Sequence, residues 1–87
     1  MSDIKIVILQ RGWVFIGRFS QEGQNCKLEN AYNIRRWGTS DGLGELALQG
    51  NQAETKLDKV GTVSFHELTT VAVMDCNQDV WKKEFAE

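Results

Sequence analysis

Residues 35–46 read RRWGTSDGLGEL and hold most of the chemistry this chain offers. Arg35 and Arg36 supply fixed positive charge, which suits a phosphate or carboxylate. Trp37 supplies a flat face on which a base can stack. Thr39 and Ser40 add hydroxyl donors. Gly38, Gly42 and Gly44 free the backbone to aim several N–H groups at one anion beside a helix start. These are the parts of a pocket for a small, phosphate-bearing, nucleotide-like ligand. The expected ligand-binding residues are Arg35, Arg36, Trp37, Thr39, Ser40, Gly42 and Gly44. The pattern is not a Walker loop, because no Gly-Lys-Ser/Thr follows, and its glycine spacing is not the dinucleotide fingerprint. The same residues also suit an ordinary turn into a helix. Gly38 and Gly42 permit positive φ, and Ser40 or Asp41 can cap the helix. In that reading the arginines pair with Glu45 or Glu54 on the surface, and Trp37 covers one end of the fold. Asp41 and Glu45 would repel a phosphate.

Elsewhere the chemistry is sparse. His66-Glu67 has the residue types of a general acid/base pair, but no nucleophile, base and orienting group occur together. The expectation is a protein without catalytic residues and without a cofactor. His66 is the single histidine, and Cys26 and Cys76 are the two cysteines. Two thiols and one imidazole lack a fourth soft ligand and any paired spacing, so no metal site is expected. The thiols are expected to be reduced and buried in strands.

A chain of 87 residues with 41% hydrophobic content supports one domain with one modest core. Net charge is −2, which argues against a general nucleic-acid binder but not against one local anion site. No segment is long and apolar enough to span a bilayer. The run IVIL is cut short by Gln10 and Arg11 and follows MSDIK rather than a basic leader, so no secretion signal is expected.

The elements that must position these residues read mainly as strands. Ile4 to Leu9 alternates with β-branched residues on both phases, a strand partly buried on both faces. Gln10-Arg11-Gly12 makes a turn. In the next strand Trp13, Phe15, Gly17 and Phe19 share one face, with Val14, Ile16 and Arg18 on the other; the aromatic set is expected in the core. Gly17 suits a sharp bend. A tight hairpin loop at residues 21–25 leads to a third strand at 26–37, kinked at Glu29-Asn30. A helix of about residues 41–49 follows, with Leu43, Leu46 and Ala47 inside and Gly50 as its stop. Residues 51–59 read as a polar loop with a short strand at 55–57. Strands follow at 61–68, with Val63 and Phe65, and at 70–76, with Val71 and Val73. The tail WKKEF reads as a short helical turn that docks Trp81 or Phe85; left exposed, either would mark a subunit contact. The sum is a small, strongly bent five-stranded β-barrel with one short inserted helix, and with residues 35–59 as an insertion between strands.

The first half resembles the Sm-like family, a five-stranded SH3-like barrel. Leu9, Gly12 and Gly17 match the spacing of its first motif, and Asn25, Leu28 and Ala31 match the stretch that follows. The resemblance covers residues 5–34. The second half departs, with Glu67-Leu68-Thr69 where the family has an arginine- or lysine-glycine turn, so its uridine-binding residues do not carry over. The whole chain, above all IRRWGTSDGLGEL and FHELTTVAV, also looks like small proteins of tailed bacteriophages. That resemblance implies phage origin and a place in the host bacterial cytoplasm.

Taken together, the expectation is a non-enzymatic phage accessory protein that binds a nucleotide or cyclic-nucleotide signal and sequesters it against host defence. The alternatives are a protein-interaction module that inhibits a host protein, docking by the Trp37 loop and the Trp81 tail, and an Sm-like RNA binder. A homo-oligomer is expected because so short a chain buries a limited surface and a small barrel leaves strand edges open.

Overall fold

The computed structural model describes residues 3–38 and 42–85. Five strands, β1 (Ile4–Leu9), β2 (Val14–Glu22), β3 (Asn25–Arg36), β4 (Lys56–His66) and β5 (Thr70–Asp75), form one sheet in the order β4-β3-β2-β1-β5. Every ladder is antiparallel. Among the described residues, two short α-helices accompany the sheet, α1 (Leu43–Gln49) and α2 (Gln78–Trp81). This is the mainly β, small barrel-like architecture that the strand pattern implies.

The strand connections follow from local chemistry. Between β1 and β2, Arg11 (φ 68°) and Gly12 (φ 81°) take left-handed conformations, and Leu9 N–H donates to Trp13 O at 2.7 Å to close the turn. Gly23 (φ 62°) turns the chain from β2 into β3.

A crease crosses β2, β3 and β4. A Cβ on Gly17 would lie 3.1 Å from both Ala31 Cα and Glu29 O, so the backbones of β2 and β3 approach closely there and a side chain would press them a few tenths of an ångström apart. The β2–β3 register slips between Ile16 and Arg18, and Asn30 (φ 53°) absorbs the slip. Ala31 in turn pairs with Gly61 of β4 (φ 81°). The crease reverses the phase of β3. Leu28 points to one face, whereas Tyr32 and Ile34 serve the other.

Two apolar clusters result. The first joins Ile4, Ile6, Val14, Ile16 and Ile34 of the sheet to Leu43, Leu46 and Ala47 of α1 and to Trp81 and Phe85 of the tail. Hydrogen bonds pin this cover down. Trp81 Nε1 donates to Leu46 O at 3.1 Å, Asn77 N–H donates to Ala47 O at 2.9 Å, and Arg18 Nη2 donates to Phe85 O at 2.9 Å. The Gln78 amide extends the sheet edge like a short strand. It accepts from Ile4 N–H at 2.8 Å and donates to Ile4 O and Cys76 O, each at 2.9 Å. The second cluster, Val7, Leu28 and Ala31 with Leu9, Phe15, Phe19, Val63 and Phe65, lies on the opposite face and contains nothing from α1 or the tail.

Several expectations need correction. α1 starts at Leu43, not near 41, and its N-cap is Gly42 (φ 84°) with no side-chain cap bond. Ser40 and Asp41, expected as caps, lie outside the described residues. β4 begins at Lys56, so the segment between β3 and β4 is residues 37–55 rather than 35–59. The polar run at 56–59 is strand because it pairs with the end of β3. Trp13, expected in the core, is 57% exposed, while Trp81 and Phe85 are fully buried and so cannot be an exposed contact. Val71 and Val73 face outward on β5. Among the described residues, no helix is long and apolar enough to cross a membrane.

Candidate functional site

The glycine segment starts where β3 ends. Arg35 Nε lies 2.9 Å from Asp58 Oδ2, and Arg36 Nη2 lies 3.8 Å from Glu54 Oε1. Both pairs are on the surface, and such pairs contribute little to stability. They nevertheless set the site's electrostatics, since an incoming anion must compete with a carboxylate for each guanidinium. Glu54 is one of the two acids expected to pair with an arginine; Asp58 takes the second arginine because β4 begins early enough to face it.

Beyond Arg36 the backbone is clamped. Thr55 is buried, and its Oγ1 donates to Trp37 O at 2.7 Å while accepting from Gln52 N–H at 3.0 Å. Gly38 (φ 66°) packs so closely on this turn that a Cβ would stand 2.2 Å from the Glu54 carbonyl carbon. Glycine at 38 is therefore a steric requirement of the turn. The Trp37 ring is 43% exposed. Gly42 leads into α1 and Gly44 lies in its first turn. Thr39 and Ser40 fall outside the described residues. The structure thus brings Arg35, Arg36 and Trp37 together at one end of the sheet, with Gly42 and Gly44 at the start of a seven-residue helix.

His66 has a local structural task. Its Nδ1 accepts from Leu68 N–H at 3.1 Å, and its carbonyl accepts from Thr69 Oγ1 at 2.7 Å, which holds the turn into β5. Both cysteines are free and buried. Burial, and secondarily the Glu67 charge, pushes the Cys26 thiol up. Burial likewise pushes the Cys76 thiol up to about 12, against a hydrogen bond from the Ile6 backbone that pulls it down. Neither thiol is poised as a nucleophile, because the thiolate is the reactive form. Among the described residues, no group of three His, Cys, Asp or Glu side chains could hold a metal ion.

The sequence reading missed the open face of the sheet. Val7 pairs with Phe15 on one side and Val73 on the other, so the three side chains form a row across β2, β1 and β5. Trp13 stacks on Phe15, with ring centroids 6.1 Å apart and planes 7° from parallel. Val73 is 41% exposed, and Leu68 and Val71 are exposed at the same end of the sheet as Trp13. The available signal was Trp13 beside a turn, where a strand ends and its face is least covered. A depression of about 700 Å³ also lies at the far end of β3 from the glycine segment. No protein-family model matches this chain, and no curated protein matches it.

Proposed function

We propose that this chain is a non-enzymatic protein-interaction module that docks a partner on the open face of its sheet. One observation carries the reading: exposed Trp13, stacked on half-buried Phe15, and exposed Val73, across the buried Val7, lie on the face that neither α1 nor the tail covers. Exposed apolar strips on small proteins mark contact surfaces, and tryptophan is over-represented among the residues that dominate binding. On the resemblance to tailed-phage proteins, the partner is a host or phage protein met in the bacterial cytoplasm, and inhibition of a host protein is the role. The reading departs from docking by the Trp81 tail, because Trp81 is buried. β4 and β5 end the sheet order, so both edges are open to a second copy, and self-assembly belongs to the proposal. Trp13→Ala tests the docking surface. The variant should keep its fold and lose its partner, whereas retention of the partner refutes the reading.

A second reading keeps the glycine segment as a site for a small phosphate-bearing ligand that the protein sequesters. It is favoured by the exposure of the Arg35 and Arg36 side chains, 64% and 61%, beside the half-exposed Trp37. A melting scan against mono-, di- and cyclic nucleotides tests it. Binding should raise the melting temperature by mass action, and Arg36→Ala should remove the rise.

A further inference from the structure

We infer that the depression at the β2–β3 hairpin tip binds a hydroxyl-bearing monoanion of the sugar-acid class. Its volume of about 700 Å³ lies within the usual range for small-molecule sites. The sheet register builds its chemistry. Ser20 pairs with Lys27, and Lys27 pairs with Ser64, so an ammonium stands between two hydroxyls in one row across three strands. Glu22 pairs with Asn25 two residues along the strands, which places a carboxylate and an amide on the same face. The intervening row, Gln21, Cys26 and Phe65, completes the lining. This face is the one that α1 and the tail cover further along. The cover ends at Arg18, which holds Phe85 O, and Ser20 lies two residues beyond.

The five polar side chains of the depression are unengaged. Among the described residues, Ser20, Glu22, Asn25, Lys27 and Ser64 make no side-chain hydrogen bond or ion pair. Gln21, next to them, donates instead to Gly23 O and Glu67 Oε1 and is satisfied within the protein. The contrast with Arg35 and Arg36 is direct, since those cations already face carboxylates. Lys27 with two hydroxyls matches one carboxylate group of a ligand. Glu22 accepts from ligand hydroxyls and opposes a doubly charged phosphate ester. Asn25 serves as donor and acceptor. A carboxylate on a polyol body satisfies all five groups, whereas a bare dianion does not.

The test is an amide chemical-shift titration of the intact protein with glucuronate, alongside ribose 5-phosphate and glucose. Glucuronate should shift amides at residues 20–27 and 64–66 and leave those at 35–44 in place. Lys27→Ala, at an exposed position, should weaken glucuronate by about tenfold or more. Glu22→Gln should improve ribose 5-phosphate relative to the parent. The inference is overturned if glucuronate moves no amides in the first two ranges, if the shifts fall on residues 35–44, or if Lys27→Ala binds as the parent does.

Discussion

The two faces of this sheet are built from similar residues and finished differently. One face is sealed: Leu43, Leu46, Trp81 and Phe85 lie over Ile4, Ile6 and Ile16, and the Gln78 amide and Trp81 indole lock the cover by hydrogen bonds. The other face buries Val7, Leu28 and Ala31 beneath half-buried aromatics and stops there, with Trp13 projecting into solvent. On the proposed docking reading, the difference separates stability from recognition. Burial on the sealed face is already complete, so its side chains have nothing left to offer a partner. On the open face, the apolar surface of Trp13 and Val73 still faces water, and covering it would release roughly 25 cal/mol per Å² before the costs of association.

Substitutions can break the comparison in order of size. Trp81→Ala removes the largest fully buried side chain, its bond to Leu46 O and its contact with Phe85, so it should cost about 3–5 kcal/mol in denaturant unfolding. A smaller loss would mean that the tail is not part of the folded core. Gly38→Ala forces a left-handed alanine onto the Glu54–Thr55 backbone and should cost at least about 2 kcal/mol. An unchanged midpoint would show that the turn at residues 52–55 yields.

Next comes a pH effect. The Cys76 thiol ionises near 12 in the fold but near 9.0 when released, so the unfolded chain sheds this proton first as pH rises. Its contribution to stability is therefore whole below about pH 9 and drains away between 9 and 12. Cys76→Ala should flatten that part of the stability profile, and a profile of unchanged slope would contradict the burial that causes it. Smallest of all, Trp13→Ala should cost only about 0.5–1 kcal/mol despite the size of the side chain. Arg36→Ala should stay within about 0.5 kcal/mol, as expected of an exposed ion pair. If Trp13→Ala instead matched Trp81→Ala, the open face would be a core like the other.

Much of the fold was legible because its signals are local. The alternation of Ile4, Ile6 and Ile8, the bend at Gly17, the kink at Glu29-Asn30 and the stop at Gly50 each depend on a few neighbouring residues. What escaped depends on pairing at a distance. The run KLDK at 56–59 looks like a loop by itself and is a strand because Tyr32, Asn33 and Ile34 lie beside it. In β5, TVAVMD is apolar on both phases, so alternation could not say that Thr70, Ala72 and Met74 turn inward and the valines outward. The glycine segment was legible as a turn, and Gly38 is indispensable to it. Its partners were less legible, because the Arg35 guanidinium faces Asp58, whose place beside it is set by the β3–β4 register.

The most direct test of the docking surface is photocrosslinking in the bacterial cytoplasm from a benzophenone side chain placed at position 13 or at position 37. The account predicts a discrete protein adduct from position 13 that Val73→Lys abolishes, and no such adduct from position 37. An adduct from position 37 alone would contradict it and move recognition to the end of the sheet where Arg35 and Arg36 lie.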